Sequence, residues 1–202
     1  MADKEVRPHT LVGLNRDGMY KIFADKGFTK GCEVGVHLGT NALSMLSIIP
    51  ELHLTLIEPY MTYEYRRFRT RNKWKWDLAT MDKIRRKALR KLSKSNVRWL
   101  MTTSELASKC VEDESLDFVY IDGNHSFDFI TRDIQFWAPK IRKGGIISGH
   151  DYGIKPIRSA VDAFAKYHEA FVQHTDHREE PSKSKARIMI SWMIDTWRRE
   201  KE

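Results

Sequence analysis

Cys32-Glu33-Val34-Gly35-Val36-His37-Leu38-Gly39-Thr40-Asn41-Ala42-Leu43-Ser44-Met45-Leu46 is the stretch whose reading decides the fold. Cys32 to Val36 reads as a strand, and a glycine-bearing turn follows it. Asn41 then opens a helix that stops at Pro50. A strand, a glycine turn and a helix in that order are the start of a βαβ unit. Gly35 and Gly39 let the backbone turn tightly and approach a ligand closely.

The same rhythm continues on both sides. Residues 18–26 suit a short helix ahead of the first strand. Leu52 to Ile57 is a second strand, ending in Glu58-Pro59. Met81, Ile84, Ala88 and Leu92 recur at helical spacing, with Lys and Arg on the outer face. Strands are expected at 97–101 and 116–121, the latter ending at Asp122. Helices are expected at 104–110 and 127–137. Lys143-Gly144-Gly145 reads as a turn into a strand at 146–148, followed by Gly149-His150-Asp151. A helix over 161–171 and a last strand over 187–193 complete the pattern. Alternating strands and helices give right-handed crossovers and a mostly parallel sheet. Ligands of such sheets sit beyond the carboxyl ends of the strands. Here those ends carry Gly35 to Gly39, Glu58, Ser104, Asp122 and His150-Asp151.

The turn is spaced Glu33-x-Gly35-x-x-x-Gly39, without the close second glycine of a pyrophosphate loop. It therefore suits a cofactor with no pyrophosphate. S-adenosylmethionine (SAM) is one: its ammonium is attracted to acids and its carboxylate to backbone N–H groups. Glu58 lies 19 positions after Gly39, where an acid can accept both ribose hydroxyls. The bland alternatives are a structural turn for the glycines and a surface carboxylate for Glu58. Asp122 and His150-Asp151 fall on adjacent strand ends and could converge on one divalent cation. His125 suits a general base, or equally a residue at the start of the following helix. His168, His174 and His177 form no metal motif with His150 and read as solvated or lid residues.

Glu33 to Gly39, Glu58, Leu116-Asp-Phe-Val-Tyr-Ile-Asp-Gly-Asn-His-Ser126 and Gly144-Gly-Ile-Ile-Ser-Gly-His-Asp-Tyr152 resemble class I SAM-dependent methyltransferases. Within these the chain is most similar to methyltransferase family 24, over roughly residues 28–156. The resemblance implies an α/β, Rossmann-like sheet of seven strands, mostly parallel with the last antiparallel, and helices on both faces. It implies that Glu33, Gly35, His37, Gly39, Glu58 and Asp122 hold SAM, with Ser104 near the adenine. Asp122, His125, His150 and Asp151 are the candidates for the substrate side, with Asp122, His125 and His150 as the catalytic ones. A likeness to metal-dependent O-methyltransferases adds Asp122, His150 and Asp151 as ligands of Mg, Mn or Fe. His150 departs from the usual oxygen ligand there, and an imidazole suits Mn²⁺, Fe²⁺ or Zn²⁺ better than Mg²⁺; the alternative is an acid/base or hydrogen-bonding cluster without a metal. The expected reaction is transfer of a methyl group to the oxygen of a small molecule.

The charge is uneven. Fourteen Lys and Arg between Tyr60 and Arg98 face only Glu64, Asp77 and Asp82, within a chain of formal net charge +8. Interleaved with Tyr60, Tyr63, Tyr65, Phe68, Trp74 and Trp76, they suit stacked bases and phosphates. They equally suit a solvated helix and, around 60–80, a lid or dimer contact. A nucleic-acid acceptor is thus the second expectation, and a non-catalytic SAM-fold module the third. The 202 residues fit one domain over 1–202. Cys32 and Cys110 make no disulfide framework and read as small core residues. With no signal-peptide pattern and no long apolar run, a cytoplasmic protein off the membrane is expected, compatible with a homo-oligomer.

Overall fold

The computed structural model describes residues 8–66, 73–176 and 190–195. The elements are β1 (His9–Leu11), α1 (Arg16–Asp25), β2 (Lys30–Val34), α2 (Thr40–Ile48) and β3 (His53–Ile57). They continue with β4 (Tyr63–Arg66), β5 (Lys73–Trp76), α3 (Leu78–Lys91), β6 (Val97–Leu100), α4 (Ser104–Ser108) and β7 (Leu116–Ile121). The last are α5 (Phe127–Trp137), β8 (Ile141–Gly149), α6 (Lys155–Tyr167), β9 (Gln173–Thr175) and β10 (Trp192–Ile194). The main sheet runs β1-β9-β10-β8-β7-β2-β3-β6. β10 is antiparallel to both its neighbours, and every other pairing in this sheet is parallel.

The expected architecture therefore stands, with one strand more than seven. β1 adds the eighth by pairing in parallel with β9. Both are three residues long, too short to show a period of two in the sequence. The expected last strand forms over its final part and one residue beyond, since β10 spans Trp192–Ile194. Residues 187–189 lie outside the described residues. β8 begins earlier than expected, because Gly144-Gly145 lie inside it. Gly144 has φ of 73°, and the β7–β8 register shifts between Leu116 and Phe118. These glycines form a strand irregularity rather than a turn. α6 is shifted toward the N-terminus, because Pro156 sits in its first turn, where a missing N–H costs nothing.

β7 is buried at every position, and its alternation sorts the two layers. Val119 and Ile121 face a core with Ile130, Ile134 and Trp137 of α5 and Ile157 and Val161 of α6. Phe118 and Tyr120 face the opposite core, with Met19, Tyr20 and Phe23 of α1 and Ala42 and Met45 of α2. The helix after β2 thus packs on one face and the helix after β7 on the other. Because β2 and β7 are neighbours, the chain reverses between them and leaves a crevice at their carboxyl ends. The basic aromatic segment that resisted assignment is an antiparallel β4–β5 hairpin, which pairs Tyr63 with Trp76 and Tyr65 with Trp74. α3 follows, and Met81, Ile84 and Ala88 pack it on Tyr60 and Trp99. No helix among the described residues is long and apolar enough to cross a membrane.

Candidate active site

Glu33, on β2, points into the α1–α2 side of the sheet and is fully buried. Its Oε1 accepts a 2.9 Å hydrogen bond from Asn41 Nδ2, on the first turn of α2. Its Oε2 is buried with no hydrogen-bond partner among the described residues. Burial, the largest cause, pushes its carboxyl up to about 8, and the charge of Asp122 adds to the shift. Asn41 and the charge of Arg16 act the other way. A lone buried carboxylate oxygen is costly unless something cationic meets it.

The turn after β2 is held from several sides. Gly35 has φ of 92°, and a Cβ there would fall 2.2 Å from the Asp122 carbonyl oxygen. Gly39 has φ of 68°, and its Cβ would meet Leu92 of the α3 C-terminus at 2.8 Å. Both glycines are thus required by neighbouring protein, whatever ligand the turn also takes. His37 also has a positive φ, of 48°. Its backbone N–H donates to Glu58 Oε2 at 3.0 Å, and the Tyr60 N–H donates to Glu58 Oε1 at 3.3 Å. The Tyr60 hydroxyl donates back to the His37 carbonyl at 2.9 Å. Glu58 is therefore aimed by two backbone donors at the end of β3, next to the turn. Tyr60, which closes this arrangement, was not among the expected site residues. Its only sequence signal is its position directly after Glu58-Pro59.

Ser104 opens α4. Its Oγ accepts from Trp137 Nε1 at 2.8 Å and also hydrogen-bonds Asp133. Its hydroxyl thus ties α4 to α5. Asp133 is 5 % exposed, and burial pushes it up to about 6.

On the substrate side, Asp122 and His125 follow β7, and Asp151 follows β8. One donor atom from each of the three lies within 4.8 Å of the others. His125 Nε2 is 3.1 Å from Asp151 Oδ2 and 3.8 Å from Asp122 Oδ1. His150 is also close, its Nδ1 being 3.9 Å from Asp122 Oδ1 and 3.7 Å from Asp151 Oδ1. The two imidazoles differ in access: the His150 side chain is 2 % exposed and that of His125 is 24 %. The set that gathers its donors at the crevice is thus Asp122, His125 and Asp151, with His150 behind it. Asp151 holds a left-handed φ of 58°, unusual for a residue with a side chain. Of the other histidines, His174 stacks on Tyr152 at 5.4 Å. His177 lies outside the described residues.

A family model described as a methyltransferase domain, family 24 of its series, matches residues 32–152. The chain belongs to methyltransferase family 24. The match runs from β2 to Tyr152 and so contains every expected site residue. No curated protein sequence matches this family 24 chain. Solved structures do. The O-methyltransferase TomG of Streptomyces achromogenes, involved in tomaymycin synthesis and solved with SAM, aligns with a TM-score of 0.62 at 11% identity. The alignment covers 89% of this chain and 78% of TomG. An O-methyltransferase of Bacillus cereus solved with S-adenosylhomocysteine (SAH) aligns at 0.60 and 13% identity, over 94% of this chain and 84% of that one. A precorrin-6y C5,15-methyltransferase of Geobacter metallireducens aligns at 0.57 and 12% identity, over 95% and 94%. At such identities these likenesses establish the shared Rossmann-like fold. The acceptor must be argued from this chain's own residues.

Proposed function

We propose that this family 24 methyltransferase uses SAM and methylates an oxygen of a small molecule held by Asp122, His125 and Asp151. The observation that carries the reading is the pairing of two differently prepared carboxylates around one glycine turn. Glu33 keeps a buried, unpartnered oxygen suited to the ammonium of SAM. Glu58 is oriented by two backbone N–H groups and suits the ribose hydroxyls. When bound, SAM supplies an electrophilic methyl: the C–O bond forms as the S–C bond breaks, and SAH leaves.

The residues at the ends of β7 and β8 then have defined tasks. His125 accepts the acceptor's hydroxyl proton as general base. Asp151, 3.1 Å from His125 Nε2, stabilises the imidazolium that results. Asp122 orients the nucleophile beside the cofactor. Holding the reactants in line contributes roughly 7–11 kcal/mol in well-aligned systems. In place of that base role, the two carboxylates and the neutral imidazole would fit a divalent metal, and this mixed donor set favours Mn²⁺ or Fe²⁺ over Mg²⁺. Such an ion would polarise the acceptor oxygen and ease its deprotonation. The β4–β5 hairpin is read as the insert flanking the substrate side of one methyltransferase domain.

SAH release, measured with a panel of catechols, sugars and phenolic acceptors, tests the reading. Asp151→Asn and His125→Gln are expected to lower turnover at least 100-fold while SAM affinity stays within threefold. Unchanged turnover in both variants would remove the assignment.

A second acceptor class is favoured by one observation. Lys83, Lys87, Arg90 and Lys94 form an exposed stripe along α3 and beyond its end, and none of them makes an ion pair among the described residues. At i, i+4, i+7 and i+11 they span roughly 16 Å, enough for several phosphates of a nucleic acid. That reading requires RNA or DNA binding that falls steeply with salt and weakens in Lys87→Glu/Arg90→Glu. Absence of binding at low salt removes it.

A further inference from the structure

Behind Glu33 runs a buried polar chain whose other members no part of the proposed chemistry has used. Asn41, 8 % exposed, donates from Nδ2 to Glu33 Oε1 at 2.9 Å. Asn41 Oδ1 accepts from the fully buried Tyr20 hydroxyl at 2.5 Å. A hydrogen bond joins the Tyr20 and Tyr120 hydroxyls, whose rings meet edge to face at 5.7 Å. Tyr120 in turn lies 3.2 Å from Ser191 Oγ. Four elements or their flanks (α1, α2, β7 and the lead-in to β10) thus converge behind one carboxylate.

The proton positions follow from the donor count. A side-chain amide has one acceptor end and one donor end, and Glu33 in the charged form that would meet an ammonium accepts only. Tyr20 spends its single proton on Asn41 Oδ1. Tyr20 must then accept from Tyr120, and Tyr120 from Ser191. Every donor in the chain therefore points toward Glu33. The Glu33 carboxylate fixes which way the Asn41 amide faces, because a flipped amide would set Oδ1 against Oε1, and Tyr20 then finds Oδ1 as its acceptor. Asn41 then pins Glu33 Oε1 and leaves Oε2 to something else. Asp122 and Glu58 add negative charge around Glu33, and Arg16 opposes them.

We propose that Asn41 and Tyr20 are positioning residues for the ammonium of the cofactor, acting through Glu33. Asn41 steadies the charged form of Glu33 and fixes its rotamer, and Tyr20 fixes Asn41. The inference rests on the SAM reading given above. It makes the amino-acid arm of the ligand, not the nucleoside, the part that the chain serves.

The test uses two ligands that share the nucleoside thioether and differ in that arm. SAH carries the ammonium and carboxylate, whereas 5′-methylthioadenosine has neither. The full-length protein is titrated with each, as wild type, Asn41→Leu and Tyr20→Phe, with thermal unfolding recorded for all three. The expected result is an SAH affinity at least tenfold weaker in Asn41→Leu and several-fold weaker in Tyr20→Phe. Methylthioadenosine affinity should stay within threefold of wild type in both. Should Asn41→Leu fail to fold, Tyr20→Phe carries the comparison alone, since it deletes one oxygen atom. Equal weakening toward both ligands would show a merely structural chain and overturn the proposal. Undiminished SAH affinity would also overturn it. Wild-type protein that bound neither ligand would instead overturn the SAM reading itself, and the inference with it.

Discussion

Glu33 concentrates the conflict between stability and function in one side chain. A carboxyl pushed up to about 8 from an ordinary 4.5 is protonated in the folded, ligand-free chain at neutral pH. The folded state then binds a proton more tightly than the unfolded state. This contribution to stability is complete below pH 4.5 and is lost as pH rises through 8. Glu33→Gln escapes the loss, so its melting temperature should exceed that of wild type by a margin that widens from pH 5 to pH 8. The ceiling on the difference is about 5 kcal/mol, and relaxation should reduce it. The same variant should bind SAM at least tenfold more weakly. A margin that narrows with rising pH would contradict this account. Asp133, raised to about 6, should act in the same direction over a lower pH range. At this scale the sequence was informative about position, since Glu33, Glu58 and Asp122 do lie at or near the carboxyl ends of β2, β3 and β7. It was silent on Asn41 and Tyr20, whose importance arises only when α1 and α2 pack side by side on the sheet. Ser104 sat where expected in sequence, but its hydroxyl faces Trp137 and Asp133. That pairing across 33 positions has no local signature. Ser104→Ala should accordingly cost about 1–3 kcal/mol, read as a lower melting temperature. Ligand preference for the adenine ring should not change.

Among the elements, the β2–β7 crossing is the least forgiving. Gly35 combines φ of 92° with a Cβ position only 2.2 Å from a backbone oxygen of the residue after β7. Backbone on one side and a left-handed conformation on the other leave no soft direction in which to yield. Gly35→Ala is expected to lose about 3 kcal/mol or more, seen as a depressed unfolding midpoint in urea. A near-neutral result would mean that the crossing is wider than described. The helices and the central strands were legible because their apolar spacing is strong, as Met81, Ile84 and Ala88 show for α3. Gly144-Gly145 look like a turn in sequence, and only β7 lying alongside reveals a strand irregularity, with Asp117 O 2.5 Å from where a Gly145 Cβ would stand. The hairpin of β4 and β5 did carry a signal, since Tyr63-Glu-Tyr-Arg66 and Lys73-Trp-Lys-Trp76 each alternate aromatic and charged residues at period two, but each run is only four residues long.

Over the whole molecule, the order β1-β9-β10-β8-β7-β2-β3-β6 makes β8, β7, β2 and β3 consecutive and parallel, so their carboxyl ends, which carry the candidate residues, share one edge of the sheet. That much followed from the alternation of elements and the rule for crossovers. The outermost pair did not, because β1 and β9 are short and join residues more than 160 positions apart. The Gly13 N–H reaches both oxygens of Asp176, at 3.1 and 2.9 Å, and so pins the chain just after β1. Asp176→Ala should raise amide hydrogen exchange across residues 9–13 while leaving β7 protected. Equal exchange in variant and wild type would show that pairing with β9 alone holds β1. The central claim is that SAM occupies the crevice where β2 and β7 part. Calorimetric titration of purified, cofactor-free protein with SAM, repeated on Glu58→Ala, tests it most directly. The expected result is single-site binding with a Kd on the order of micromolar, weakened at least tenfold in the variant. Folded wild-type protein that takes up no SAM would contradict the claim.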